Sequence, residues 1–298
     1  MSMSEDSIMV DLESVVMETT INLLKLAATR LPSDVKNALV EAAKDETTEV
    51  AKKQLEAILA NIDLAEKMGA PMCQDTGVQM FYLKAGSRFP ILGKLSRILK
   101  EAVRRGTEAV PLRPNAVDPF TRENSGDNTG KCIPWIDWEV IEGEILELTA
   151  LPKGFGAEMM SGFAMLTPSD GIKGLKRFVV DTLIKAGARP CPPVILGIGV
   201  GGGADGVMKL AREAVLRSLN RRNENPEIAK LEKELLRLVN ETGIGPMGLG
   251  GKTTVLGVNI EYAHTHTAAL PVGVIVQCWA ARKASARIRP DGHVEYLT

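Results

Sequence analysis

The sequence has almost no net charge and no long apolar run. Its 36 lysines and arginines face 37 aspartates and glutamates, which gives a formal net charge of −1 at pH 7. Because nucleic acids and anionic membranes attract an excess of positive charge, we expect neither as a partner. Apolar stretches such as residues 268–281 contain glycine or proline and are shorter than the roughly 20 residues that span a bilayer. The composition therefore favours a small-molecule ligand.

The sequence also lacks two local signals. Its first residues, Met-Ser-Met-Ser-Glu-Asp, have neither the basic start nor the apolar core of a secretory signal. We therefore expect a cytoplasmic protein whose cysteines are kept reduced. Cysteine pairs of the C-x-x-C kind are absent, so no single loop can hold a metal ion by itself.

Three of the four cysteines, Cys73, Cys191 and Cys278, lie far apart in the chain. A metal site that they share requires these distant segments to converge. Three thiolates on a four-iron cluster would leave one iron without a cysteine ligand, which is typical of a catalytic centre. From spacing alone, each cysteine is more simply interpreted as a small buried apolar residue. The fourth, Cys132, is compatible with a fourth ligand, a surface thiol or a core residue.

Hydrophobic periodicity predicts a mixed α/β fold. Helical spacing of apolar residues predicts three helices within residues 7–67, and further helices at 92–105, 172–185, 205–220 and 226–241. Strands are predicted at 78–84, 194–200, 253–261 and 272–278, with hairpins at 138–151 and 286–297. We expect an amino-terminal helical region, residues 1–68, packed on an α+β region, residues 69–298, with a small mixed sheet flanked by helices. The two regions are also compatible with one continuous domain.

The segment from Gly197 to Gly202 matches the dinucleotide fingerprint G-x-G-x-x-G and follows a predicted strand. A nicotinamide-dependent oxidoreductase is therefore an alternative. The sequence beyond the fingerprint argues against it, because a charged helix at 226–241 stands where a second strand ending in an acidic residue is expected. The glycines are more simply interpreted as sites where backbone approaches a ligand or a partner chain closely.

Two of the three histidines, His264 and His266, are two residues apart. On a strand this spacing places both imidazole rings on one face, as a metal-ligand pair requires. Judged before any family resemblance, hydrogen-bonded histidines near the end of a sheet are the simpler interpretation.

Five segments together resemble class I fumarases and L(+)-tartrate dehydratases. They are residues 73–77 (Cys-Gln-Asp-Thr-Gly), 111–114 (Pro-Leu-Arg-Pro), 152–158 (Pro-Lys-Gly-Phe-Gly-Ala-Glu), 245–251 (Gly-Pro-Met-Gly-Leu-Gly-Gly) and 264–268 (His-Thr-His-Thr-Ala). The resemblance runs from about residue 7 to 298 and matches the alpha subunit, which is equivalent to the amino-terminal half of single-chain members.

In that family three cysteines bind a [4Fe-4S] cluster, and the resemblance implies that Cys73, Cys191 and Cys278 are these ligands. Cys132 matches no ligand position and is interpreted as a spare thiol. The resemblance also implies that five residues line the substrate pocket, with Asp75 and His266 as the catalytic members. The five are Gln74, Asp75, Arg113, Gly156 and His266.

The reaction that the resemblance implies is the reversible hydration of fumarate to malate. Dehydration of L(+)-tartrate to oxaloacetate is the alternative, because residues 85–93 and 133–135 look more like the tartrate branch, whereas 157–158 and 266–268 look more like fumarase. Loss of water requires expulsion of hydroxide, and a Lewis acid that binds the hydroxyl group lowers that barrier. We expect Arg113 to bind a substrate carboxylate through two parallel hydrogen bonds.

The resemblance also implies a partner chain. In the family a beta subunit supplies the threonine that removes the proton, together with further basic residues. We therefore expect a beta-subunit partner, an α2β2 assembly, and little or no turnover by this chain alone. A different class, a non-catalytic protein that carries a cluster, would bind iron without hydratase activity.

Overall fold

The computed structural model describes residues 11–297. Eight α-helices lie within them: α1 (Leu12–Thr29), α2 (Ser33–Asp45), α3 (Glu49–Met68), α4 (Leu95–Ala109), α5 (Phe155–Glu158), α6 (Gly171–Ala186), α7 (Ala204–Leu216) and α8 (Pro226–Asn240). The same residues form nine strands: β1 (Val78–Gly86), β2 (Trp135–Ile141), β3 (Leu146–Lys153), β4 (Gly162–Leu166), β5 (Val194–Gly202), β6 (Val255–Thr265), β7 (Leu270–Gln277), β8 (Ala284–Ile288) and β9 (Val294–Tyr296). The expected mixed α/β fold class is confirmed.

The described residues group into two compact units. Unit 1 contains residues 11–30, 69–153 and 282–297, and unit 2 contains residues 31–68 and 154–281. Each unit is therefore discontinuous in sequence, whereas the expected division after residue 68 runs along the chain. Helix α1 belongs to unit 1, and helices α2 and α3 belong to unit 2.

Unit 1 is built on a mixed five-stranded sheet with the order β2-β1-β3-β8-β9. Strand β1 pairs in parallel with β2 and antiparallel with β3. Alternate residues of β1, including Phe81 and Leu83, are buried against apolar side chains of α1 and α4. This core fixes the start of β1, and residues 73–77 lead directly into that strand.

The predicted hairpin at 138–151 is wrong in its pairing. Both segments are strands, but β1 lies between β2 and β3, so these two strands are not neighbours. Alternation of apolar residues indicates which face of a strand is buried and does not identify the neighbouring strand. The predicted hairpin at 286–297 is confirmed, because β8 and β9 pair antiparallel.

Unit 2 is built on a mixed four-stranded sheet with the order β4-β7-β5-β6. Strand β5 pairs in parallel with β6 and antiparallel with β7. Apolar residues of α6 and α8 cover one part of this sheet, and α7 packs on β5 through Ala211 and Val215. Strand β5, an inner strand of this sheet, is buried along nearly its whole length, which explains its almost continuous apolar sequence.

The glycines of the dinucleotide-like fingerprint lie inside β5. A Cβ added to Gly199 would lie 2.0 Å from the carbonyl oxygen of Val207. A Cβ added to Gly197 would lie 2.3 Å from the carbonyl oxygen of Ala211. Glycine at both positions therefore allows the backbone of α7 to approach the sheet closely. In a dinucleotide fold the glycines occupy the turn after the strand. Helix packing thus accounts for these glycines without a bound dinucleotide.

Replacing Gly199 by alanine is expected to destabilise the protein by about 2–4 kcal/mol, because the new methyl group collides with backbone that cannot move without shifting α7. Thermal or urea unfolding measures the effect. Gly206→Ala is the matched control, since a Cβ at Gly206 meets nothing within 4 Å and alanine favours a helix more than glycine does. Equal stability of the two variants would contradict this account of the glycines.

No helix in residues 11–297 combines the length and the apolar character that crossing a membrane requires.

Candidate functional site

Residues 73–77 form a loop in unit 1 whose shape is set by hydrogen bonds. Oδ1 of Asp75 accepts the Gly77 N–H at 2.9 Å and an Nδ2 hydrogen of Asn115 at 3.3 Å. Gly77 has a φ of 84°, and a Cβ there would be 2.6 Å from the backbone of Pro152, so only glycine fits. Within this loop Cys73 and Asp75 are half-buried and Gln74 is exposed.

The segment around Arg113 is bound to this loop. The Arg113 N–H donates to Oγ1 of the buried Thr76 at 3.0 Å, and that hydroxyl lies 3.3 Å from the Arg113 carbonyl oxygen. Nδ2 of the buried Asn128 donates to the same carbonyl at 3.1 Å, while its Oδ1 accepts the Asn115 N–H at 2.7 Å. The backbone of Arg113 is therefore held from both sides, whereas its side chain is exposed. Unit 1 thus brings the predicted pocket residues Asp75 and Arg113 into one hydrogen-bonded network.

Asp127, next to Asn128, anchors the polar loop of residues 121–131. Burial alone would raise the pKa of Asp127, but hydrogen bonds from Thr129 and Arg104 outweigh it and lower the pKa to about 2. The carboxylate accepts the Thr129 N–H at 2.9 Å and its hydroxyl at 2.8 Å. Asp127 is therefore ionised at neutral pH and keeps the loop in place beside Asn115.

Cys191 and Cys278 both belong to unit 2. The Trp279 N–H donates to the Cys191 carbonyl oxygen at 3.4 Å, so the segment after β7 lies beside the turn that follows α6. Cys191 adopts a φ of 54°, and its own N–H donates to the Ala188 carbonyl oxygen at 3.1 Å. Both cysteines are half-buried. Unit 2 therefore brings together the backbone segments of two of the three predicted ligands.

Cys73 lies in unit 1, as does Cys132, which is exposed. None of the four cysteines forms a disulfide. Within residues 11–297 no group of three or more histidine, cysteine, aspartate or glutamate side chains is arranged to hold a metal ion. The ligand set of three cysteines therefore stays a prediction.

His266 follows the last residue of β6 and is exposed. Its Nδ1 accepts the Ala268 N–H at 3.1 Å, so the neutral imidazole carries its proton on Nε2. The ring lines a cavity of about 460 Å³ whose other walls, including Ile172 and Leu231, are mostly apolar. A dicarboxylate requires cationic partners, which this cavity within unit 2 lacks.

Gly156 lies in the short helix α5 of unit 2 and is exposed. An added Cβ would meet the Arg189 carbonyl oxygen at 3.7 Å, an ordinary contact distance. Packing in the described residues therefore does not require glycine here, and close approach of a ligand remains the predicted reason for it. The adjacent motif residue Glu158 pairs with Arg212, which gives that carboxylate a structural partner.

The structure adds site residues that the sequence patterns did not identify. Thr76, Asn115 and Asn128 join the loop of residues 73–77 to the segment around Arg113. Of the three, only Thr76 lies within a motif that carried the family resemblance. Arg282 is the other addition, because its Nη2 donates to the Asp75 carbonyl oxygen at 2.8 Å. No local pattern marks Arg282, since its contact lies 207 residues away in the chain.

Comparison with known proteins agrees with this set of motifs. A family model described as fumarate hydratase (Fumerase) matches residues 17–287 of the sequence. The chain belongs to the fumarate hydratase family. The expected family resemblance is thereby confirmed, and the chain is an enzyme of the hydro-lyase class.

Relatives of similar length support the assignment to this family. A protein of Methanocaldococcus jannaschii named "Putative L(+)-tartrate dehydratase subunit alpha" is 49% identical over 280 residues, which are 93% of this chain and 98% of that protein. The L(+)-tartrate dehydratase subunit alpha of Escherichia coli strain UTI89 is 37% identical over 282 residues, which are 94% of this chain and 93% of that one. The L(+)-tartrate dehydratase subunit alpha of Shigella boydii is also 37% identical, with the same coverage of both chains.

Proposed function

We propose that this chain is the alpha subunit of an iron-sulfur hydro-lyase that interconverts fumarate and malate. The observation that carries the proposal is the match of the fumarate hydratase family model to residues 17–287. The network of Asp75, Thr76 and Arg113 supports it, because it combines a fixed carboxylate with an exposed guanidinium in one unit. The predicted cytoplasmic location stays a prediction.

Dehydration of L(+)-tartrate is the second candidate. It is favoured by the relatives at 49% and 37% identity, which are named as L(+)-tartrate dehydratase alpha subunits. Fumarate, malate and tartrate are all four-carbon dicarboxylates, so the same arginine would bind any of them. Tartrate has a second hydroxyl group that malate lacks. A site that strongly favours tartrate must form a hydrogen bond with this group.

The cysteines suit a [4Fe-4S] cluster by their chemistry. Cys73, Cys191 and Cys278 are half-buried thiols without disulfide partners, whereas Cys132 is exposed. We propose that the first three hold the cluster, as the family resemblance implies. When bound, a cluster with one iron that lacks a cysteine ligand supplies a Lewis acid for the substrate hydroxyl group.

The chain's own side chains bind and orient the substrate. We assign to Arg113 the binding of one substrate carboxylate, because its backbone is held on both sides and its side chain is exposed. One carboxylate oxygen of Asp75 accepts hydrogen bonds from Gly77 and Asn115, which fixes the orientation of the side chain within the loop. His266 holds its proton on Nε2 and so can donate a hydrogen bond from that atom. Gln74 and Gly156 are assigned to the pocket because the family motifs include them.

The names of the relatives as alpha subunits support a separate beta subunit. We propose that this partner completes the site in an α2β2 enzyme and supplies the base that removes the proton. The alpha chain alone is then expected to bind iron and to turn over little or no substrate.

The decisive experiment purifies the alpha chain and the beta chain from the same source and reconstitutes them without oxygen, alone and mixed. Each sample is assayed with fumarate, malate and L(+)-tartrate. The proposal expects activity in the mixture only, at the highest kcat/KM with fumarate and malate. Preference for tartrate would select the second candidate. Full activity of the lone alpha chain, or no activity of the mixture with any of the three, would refute the proposed subunit function.

A further inference from the structure

Arg282 is a buried cation of unit 1. Its side chain is 1% exposed, and its Nη2 donates to the Asp75 carbonyl oxygen at 2.8 Å. The remaining donors of the guanidinium, on Nε and Nη1, are buried and have no acceptor within hydrogen-bonding distance in the described residues. Within residues 11–297 the guanidinium of Arg282 therefore has an uncharged carbonyl oxygen as its hydrogen-bond partner, and no carboxylate. The side chain therefore carries an uncompensated charge, and the three N–H bonds on Nε and Nη1 are unused.

The backbone contact of Arg282 does not require a charged side chain. A neutral donor would satisfy one carbonyl oxygen, whereas a buried guanidinium without a counter-charge is strongly unfavourable. A trapped water molecule could accept one hydrogen bond, but it would not neutralise the charge. Burial of an arginine at this position is therefore best explained by an anion that becomes its partner in the working enzyme.

The location of Arg282 indicates where that anion lies. The guanidinium is bonded to residues 73–77, the loop that carries Cys73, Gln74 and Asp75. The Asp75 carboxylate is engaged within the loop, because its Oδ1 accepts hydrogen bonds from Gly77 and Asn115, and Arg282 contacts only the backbone carbonyl of this residue. The same loop is joined to the backbone of Arg113, so a second arginine is attached to this loop.

We propose that Arg282 is an anion-binding residue of the hydro-lyase site, holding an anion against residues 73–77 through Nε and Nη1. The inference rests on the proposed function, which supplies two anions at this loop. One is a carboxylate of the substrate, and the other is the thiolate-bound cluster. Both accept charge-assisted hydrogen bonds from a guanidinium, and the experiment distinguishes them.

The test compares Arg282→Gln and Arg282→Lys with the wild type in the reconstituted complex of alpha and beta chains. Iron and sulfide content, kcat and KM are measured for each, and thermal unfolding reports the folded fraction. Arg217→Lys is the matched control, because Arg217 is also largely buried but is paired with Glu232. The control is expected to keep the wild-type iron content and KM.

If the anion is the substrate carboxylate, Arg282→Gln is expected to lower kcat/KM about 100-fold at wild-type iron content, with Arg282→Lys intermediate. If the anion is the cluster, the glutamine variant is expected to hold less than about half of the wild-type iron and sulfide, with only partial recovery in the lysine variant. Should Arg282→Gln not fold, Arg282→Lys carries the test, with an expected loss of about tenfold in kcat/KM or a measurable loss of iron.

The proposal is overturned if the folded variants keep both kcat/KM and iron content within twofold of the wild type. It is also overturned if activity falls only in proportion to the unfolded fraction. An inactive wild-type complex would instead refute the proposed function, so the two failures are distinguishable.

Discussion

Single replacement of Cys73, Cys191 or Cys278 by serine is expected to abolish iron binding and to lower hydro-lyase activity at least about 1000-fold. The metal ligand is a thiolate, and a serine hydroxyl does not ionise near neutral pH. Loss of the Lewis acid removes several kcal/mol of transition-state stabilisation, which corresponds to a rate factor of this size. Iron and sulfide analysis, the visible absorption of the cluster and kcat in the reconstituted complex measure the effect.

Cys132→Ser is the internal control for this series. Cys132 is exposed and lies in the segment after the polar loop of unit 1, so its replacement is expected to leave iron content and activity unchanged. Because serine differs from cysteine by one atom, all four variants should unfold at similar temperatures when they are compared without a cluster, whereas reconstitution should stabilise only Cys132→Ser. Loss of the cluster in Cys132→Ser, with retention in one of the other three, would overturn the ligand assignment.

Arg113→Ala is expected to lower kcat/KM about 100- to 1000-fold, because two charge-assisted hydrogen bonds to a substrate carboxylate are lost. Arg113→Lys is expected to recover part of the loss, since lysine keeps the charge but cannot form two parallel hydrogen bonds. Steady-state kinetics of the reconstituted complex with fumarate, malate and tartrate measure both effects. A rise in KM without a fall in kcat would indicate that the arginine binds substrate and transition state equally.

The effect of Arg113→Ala should be local. Thr76 and Asn128 hold the backbone of Arg113, not its side chain, so truncation leaves the loop in place. Arg105→Ala is a suitable control, because Arg105 is an exposed arginine of the same unit whose contact is a helical ion pair with Glu101. Equal kinetics for Arg113→Ala and Arg105→Ala would remove Arg113 from the substrate site.

Residue patterns predicted the elements of the fold well where periodicity was strong. Helix α8 was expected at 226–241 and spans Pro226–Asn240, and β5 was expected at 194–200 and spans Val194–Gly202. The pairing of β2 with β1 was not predicted, because alternation along a strand contains no information about its neighbour. The glycines of β5 were expected to allow close approach of a ligand or a partner chain, whereas the structure shows that the backbone approaching Gly197 and Gly199 is helix α7 of the same chain.

The site residues also divide into those that motifs predicted and those that only the structure identified. Motifs within residues 73–77 and 111–114 predicted Asp75 and Arg113, and the structure joins these segments through Thr76. Asn115 and Asn128 were not predicted, since a polar residue in a loop is common and its partner lies many positions away. The three-cysteine ligand set stays a prediction that the serine series tests.

The sequence by itself determined most of the helices and strands, though not α5 or β4, together with the hydro-lyase family and the residue types available for catalysis, because periodicity and motifs are local properties of the chain. Only the tertiary structure decided that β1 lies between β2 and β3, that Thr76 binds the Arg113 segment, and that Arg282 is buried against Asp75. Each of these depends on contacts between residues that are distant in sequence, and burial changes the energetic cost of a charge only once such contacts exist.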